Sequence, residues 1–236
     1  LMIYYFVLIL LAFFSLYHLS NLDRNQNRYL RLVSFLLFII VGGLRYEVGT
    51  DWPQYENTFN TLDSVGGIFT AREEKFFMVF MFITKKIINS YVFFTFTFFS
   101  VAFYLKYVIF KKYSTDVFLS LIIYFFTLFL IYDLNGVRQG MALAFVFLSI
   151  PYLLNKKPFL FILMVIIGSL FHVSSLIFLP FYWIANLKIS KEKMIVIVGA
   201  SLLVSMPIRA LIENNAYLQL ILAMDSFSHY SFYVTD

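Results

Sequence analysis

Cysteine is missing altogether from the 236-residue chain, glycine (9) and proline (5) are sparse, and charged residues make up only 13%. The absence of cysteine excludes a disulfide scaffold and leaves the compartment open. So little glycine and proline excludes a collagen-like or low-complexity chain. The shortage of charge excludes most. Soluble domains carry about 25% charged and roughly 45–50% apolar residues. Here 61% of residues are hydrophobic and the mean hydropathy is +0.84, more apolar surface than one water-soluble core can hide. What remains is an all-α polytopic membrane protein. The formal charge of +5 is no nucleic-acid signal, because the basic residues lie between apolar runs rather than in a patch.

What is abundant is apolar and aromatic: 31 Phe and 17 Tyr bring the aromatic share to 21%. Rings in such numbers can line a substrate groove, but AT-rich codons favour the same residues, and codon bias is the reading adopted. Apolar runs read as about eight transmembrane helices: Met2–Leu19, Leu30–Leu44, Tyr91–Phe110, Val117–Leu134, Val137–Leu154, Pro158–Phe171, Val173–Leu187 and Met194–Ile208. A further run, Phe76–Ile88, is short and carries Lys85 and Lys86. The first run has neither a basic leader nor a small-residue cleavage site and reads as an uncleaved span. No repeat or linker divides the chain, so 1–236 is expected to be one integral membrane domain. It starts at Leu1 and stops at Asp236 in a polar stretch, so it reads as a C-terminally truncated version of a longer protein, with 208–236 the start of an outer loop.

Lysine and arginine between the runs orient them. Arg24, Arg28 and Arg31, then Lys106, Lys111 and Lys112, then Lys156 and Lys157, then Lys188, Lys191 and Lys193 place eleven of the 18 basic residues on one side. Only Asp23, Asp116 and Glu192 accompany them, so ten of the 13 acidic residues fall on the other side, which is the outer face. With Arg45–Lys75 outside and Lys106–Asp116 inside, one crossing fits between them. Tyr91–Phe110 takes it, leaving Phe76–Ile88 as a short re-entrant or interfacial helix on the outer face.

Three polar clusters then meet at that face: Arg45-Tyr46-Glu47-Val48-Gly49-Thr50-Asp51-Trp52-Pro53-Gln54-Tyr55, Asp133-Leu134-Asn135-Gly136-Val137-Arg138-Gln139-Gly140, and His172 with Ser174 and Ser175. Each has a plain reading. The first is a turn with an interfacial Trp, the second a turn whose Arg snorkels, and the third a structural His. Together, with arginines close to hydrocarbon, they read as a functional site.

The order Arg45-Tyr46-x-Val48-Gly49-Thr50-Asp51-Trp52-x-x-Tyr55, then Asn135-Gly136-Val137-Arg138-Gln139-Gly140, then Phe171-His172-x-Ser174 resembles the EpsG-type family of Wzy-like polysaccharide polymerases. The resemblance implies a bacterial inner-membrane, multi-pass glycosyltransferase of GT-C-like architecture. It would act on undecaprenyl-diphosphate-linked oligosaccharide repeat units to build O-antigen, capsule or exopolysaccharide. A flippase and a chain-length regulator are the partners it implies; no cofactor and no nucleic acid are expected.

The residues fit that chemistry on their own terms. A lipid-diphosphate leaving group needs cations, and Arg45 and Arg138 each offer a fork for phosphate oxygens. The acceptor hydroxyl needs a base, for which Asp51 comes first, then Glu47 and His172. Asn135, Gln139, Tyr55 and Trp52 suit sugar hydroxyls and pyranose faces. No Asp-x-Asp element is present, so no metal is expected. A transporter or flippase of lipid-linked glycans is one alternative, though Val117–Tyr132 and Phe159–Leu170 hold no ionisable side chain but Tyr. A membrane acyltransferase is another, although His172 has no carboxylate near it in sequence.

Overall fold

The structure, a computed structural model, describes residues 2–19, 24–187, 190 and 192–201. Among these residues it is entirely helical, without a strand. Residues 1–185 form one compact unit; of the second, 186–236, the main element described is a helix over 192–201. The last expected span, Met194–Ile208, is thus described only in part, and the expected outer-loop start at 208–236 lies outside the described residues.

In chain order the α-helices are α1 (Met2–Leu19), α2 (Arg24–Gly43), α3 (Trp52–Thr61), α4 (Val65–Thr70), α5 (Lys75–Ile87), α6 (Tyr91–Tyr113), α7 (Val117–Tyr124), α8 (Val137–Leu154), α9 (Pro158–Ser169) and α10 (Phe181–Asn186), the last ending at the boundary between the units. Short polar residues start several of them. Ser90 accepts from the Phe93 amide before α6, and Asp116 from the Phe118 and Leu119 amides before α7. Two helices, Tyr91–Tyr113 and Val137–Leu154, are long and apolar enough to cross a membrane; Met2–His18, Val117–Asp133, Pro158–Ser169 and Val173–Asn186 are shorter apolar stretches. The eight continuous spans expected from the apolar runs therefore do not all appear as long helices. The run Val173–Leu187, for example, is a 3₁₀ turn (Val173–Phe178), then Pro180, then the six residues of α10. The 13 residues of α5 rise about 20 Å, too little to cross ~30 Å of hydrocarbon. Its end is pinned by Lys85, which donates to the Phe59 and Asn60 carbonyls and pairs with Asp63 at 3.0 Å.

Exposure marks the solvent these helices meet. On α1, Val7 (1%), Leu11 (0%) and Phe14 (7%) are buried, while Phe6 (58%), Ile9 (70%), Phe13 (59%) and Leu16 (69%) are exposed. A contiguous apolar stripe like this is stable against hydrocarbon and a liability in water. Inside, rings do the packing. Phe38 stacks on Phe103 at 4.9 Å, and Phe129 meets Phe38 edge-on at 5.2 Å, joining α2, α6 and the chain beyond α7. Phe77 of α5 meets Phe98 of α6 edge-on at 5.4 Å.

One local irregularity turns a carboxylate inward. Beyond Tyr124 the chain continues in wide π turns over Phe125–Asp133, with bonds from the Leu134 amide to Phe129 O (2.9 Å) and from the Gly136 amide to Ile131 O (3.2 Å). In an α-helix, at about 100° per residue, positions nine apart face opposite sides. The wider turns bring Tyr124 and Asp133 to the same interior face, where Tyr124 Oη donates to Asp133 Oδ2 at 2.7 Å.

Candidate active site

Three α-helices and the 3₁₀ turn begin around one side chain, Arg138. The residues preceding α3, α5, α8 and the turn are Asp51, Glu74, Gly136 and His172. Asp51, Glu74 and His172 do not cap their own helices; each side chain turns away into a shared network. The first amides of the helices are left without side-chain partners, and the helix dipoles make their surroundings favourable to an anion.

These side chains lie in one chain of contacts, hydrogen-bonded except between Glu74 and His172, which meet as a charge contact. Arg138 Nε donates to Tyr55 Oη at 2.8 Å, and Arg138 Nη1 pairs with Glu74 Oε2. Tyr55 Oη donates in turn to Asp51 Oδ2 at 3.0 Å, one turn back along α3. His172 Nδ1 lies 3.2 Å from Glu74 Oε1, and its Nε2 meets the Gln139 side-chain amide at 2.8 Å. Among the described contacts Arg138 Nη2 is unengaged. Burial alone would raise the Glu74 carboxyl, but the His172 ring and the Arg138 guanidinium overcome it and hold the group down at about 2. Burial pushes the Tyr55 hydroxyl well up against the opposing pull of Arg138, so it stays protonated and can donate to Asp51 while accepting from Arg138.

Beneath lies a second polar group. Lys106, fully buried, pairs with Asp133 Oδ1 at 2.5 Å, and Arg45 Nη1 donates to the Asp133 carbonyl. This fixes the residue from which the Asn135–Gly140 segment departs. Lys106, grouped with Lys111 and Lys112 as an inner-face cation, is buried in α6, which carries those two at its exposed end; its long stem reaches the buried Asp133 carboxylate. Gly49, at φ +105°, lies so close to the Leu134 carbonyl that a Cβ would clash with it. Beside it Asn135 Oδ1 accepts from the Thr50 amide at 2.7 Å and the Thr50 hydroxyl at 2.9 Å, tying the first cluster to the second.

The fold thus joins Asp51, Tyr55, Arg138, Gln139 and His172, and places Asn135 at their edge as a tie between loops. Arg45 is buried on the Asp133 carbonyl and makes no contact with the Arg138 network, and Trp52 is buried against Tyr91 with ring centroids 4.7 Å apart. Glu47 is exposed at φ 51° and takes no part in the network. The residue that sequence reasoning missed is Glu74, which links Arg138 to His172. Its signal was faint: a carboxylate in the mixed run Arg72-Glu73-Glu74-Lys75, directly before an apolar helix. Among the described residues no group of three or more His, Asp or Glu is placed to hold a metal ion.

The EpsG family model matches residues 28–236, which include every member of this network. The chain belongs to the EpsG family. No curated protein and no solved structure matches it. Membership of the EpsG family carries a polysaccharide-polymerase-like role and, with the apolar helices described above, makes the chain a membrane protein.

Proposed function

We propose that this EpsG-family chain is a multi-pass glycosyltransferase at the outer face of the bacterial cytoplasmic membrane. It joins undecaprenyl-diphosphate-linked oligosaccharide repeat units into surface polysaccharide. A flippase that delivers those units and a chain-length regulator are its proposed partners. The observation that supports the reading is the gathering of the α3, α5 and α8 N-termini around Arg138, a setting built for an anion at a membrane surface. The diphosphate sits against Arg138 Nη2 and the first amides of α8. His172 takes the proton of the acceptor hydroxyl through Nε2, displacing Gln139. The acceptor oxygen bonds to the donor's anomeric carbon as the bond from that carbon to the diphosphate oxygen breaks. The lipid diphosphate then leaves with its new charge facing Arg138.

The proton acceptor is assigned to His172 rather than Asp51 because a carboxylate stands at the His172 Nδ1. At 3.2 Å, without an aligned hydrogen bond, that carboxylate acts on the ring by its charge, which favours an imidazolium formed during the reaction. Asp51 instead takes the Tyr55 hydroxyl, and through Tyr55 it positions Arg138. The same His–carboxylate pair also answers the requirement of a membrane acyltransferase, the second reading. Reconstituted full-length protein given a lipid-linked unit labelled in the glycan, or an acyl donor labelled in the acyl group, separates the two. Glycan label in a ladder of longer lipid-linked chains is the expected result. Acyl label on the acceptor with no ladder overturns the polymerase reading.

A further inference from the structure

The opposite end of the bundle holds a cationic recess that the polymerase reading does not use. It lies about 30 Å along α6 from Tyr91, as the 20 residues to Lys111 dictate. Its volume is about 180 Å³, and His18 of α1, Arg31 of α2, Lys111 of α6 and the Ser114–Thr115 turn line it. Among the described residues neither Arg31 nor Lys111 has a carboxylate partner. The nearest acid in sequence, Asp116, is already engaged: Oδ1 takes the Phe118 and Leu119 amides and Oδ2 the Ser15 hydroxyl at 2.7 Å. His18 Nδ1 meets Asn27 Oδ1 at 3.1 Å, which leaves its Nε2 open. Ser114 Oγ lies 2.7 Å from Ser120 Oγ, whose one proton goes to the Asp116 carbonyl at 3.0 Å, so the Ser114 hydroxyl is spent on Ser120.

We propose that this recess binds a phosphate group, held by the Arg31 fork and the Lys111 ammonium with the Thr115 hydroxyl beside them. Two unneutralised cations beside the Thr115 hydroxyl, in a concave site between apolar helices, are the complement of a phosphate oxyanion. The phosphate belongs either to an anionic phospholipid headgroup or to a free phosphate, and either would tie α1, α2, α6 and the start of α7 together.

The test is native mass spectrometry of the full-length protein, with phosphatidylglycerol and inorganic phosphate titrated separately. Wild type should retain one phosphate ligand. Arg31→Gln/Lys111→Gln should weaken retention at least tenfold, which is about 1.4 kcal/mol. Arg28→Gln/Lys112→Gln removes the same charge from exposed neighbouring positions and should retain ligand like wild type. Arg31→Lys/Lys111→Arg keeps both charges and should bind within a few-fold of wild type, so a folding defect in the Gln pair cannot imitate the result. Displacement of phosphatidylglycerol by millimolar inorganic phosphate identifies a free-phosphate site; failure to displace it identifies a headgroup site. The proposal is overturned if wild type retains neither ligand, or if both Gln pairs weaken retention equally.

Discussion

Glu74→Gln keeps the size of the side chain and removes the charge that Arg138 and His172 share. Both side chains of the Arg138–Glu74 pair are partly open to solvent, 24% and 21% exposed, so screening reduces the pair's worth. A charge-assisted hydrogen bond is worth ~1.5–3 kcal/mol, and about 1–2 kcal/mol is expected here after that reduction. The sign with pH follows from the depressed carboxyl. Its contribution is complete above the ordinary Glu value of 4.5 and disappears as pH falls through about 2, so at neutral pH all of it is present. Activity should suffer far more than stability, because one substitution releases both the phosphate fork and the base. A loss of about 10²–10³ in elongation rate is expected against a drop of a few degrees in thermal midpoint. The assay is the length distribution of lipid-linked chains made by the full-length protein, at membrane levels matched by immunoblot. Glu73→Gln is the control: Glu73 is buried and takes the Gln54 amide at 3.2 Å, outside the network. A wild-type ladder from Glu74→Gln, or an equal loss from Glu73→Gln, refutes the reasoning.

His172→Gln should lower elongation by ~10²–10⁴, as removal of a general base does, whereas Asp51→Asn, which still accepts the Tyr55 hydroxyl, should lose about tenfold; the reverse order in the same assay returns the base to Asp51. Lys106→Met should destabilise the protein by about 3–5 kcal/mol by stranding the Asp133 carboxylate, and adding Asp133→Asn should recover much of it, both read by thermal unfolding in detergent. Gly49→Ala should destabilise the loop by ~1–3 kcal/mol, because it meets both a φ of +105° and the Leu134 carbonyl; a midpoint equal to wild type would show that the loop can move aside.

The composition of the chain carried the helical membrane class, and the three polar clusters held most of the residues that the fold gathers into the candidate site. Asp51, Tyr55, Arg138, Gln139 and His172 are legible because polar residues beside long apolar runs have few structural uses. Glu74 was hidden for the opposite reason: between Glu73 and Lys75 it resembles a solvated charge run, and only the fold brings it to Arg138 and His172. Arg45 misled in the other direction. Next to Tyr46, Glu47 and Asp51 it reads as a phosphate ligand, yet it donates inward to the Asp133 carbonyl, a partner 88 residues away. The π turns that rotate Asp133 inward have no signature in the apolar run Val117–Leu134. Lys106 was counted as one more inner-face cation because its partner lies 27 residues on, beyond any local pattern. Helix continuity was the least legible feature, since apolar runs show where chain is shielded from water and not where hydrogen bonding breaks.

Arg138→Lys tests the central claim most directly, because it preserves the charge and abolishes the fork that bonds Tyr55 and Glu74 while leaving Nη2 for phosphate. The measurement is the rate at which full-length protein releases lipid diphosphate from a lipid-linked repeat unit, followed together with formation of the new glycosidic bond. Release and bond formation should be equimolar in wild type, and both should fall by about 10²-fold in Arg138→Lys at unchanged protein level. Wild-type rates of release and bond formation in Arg138→Lys would contradict a phosphate-binding role for this fork.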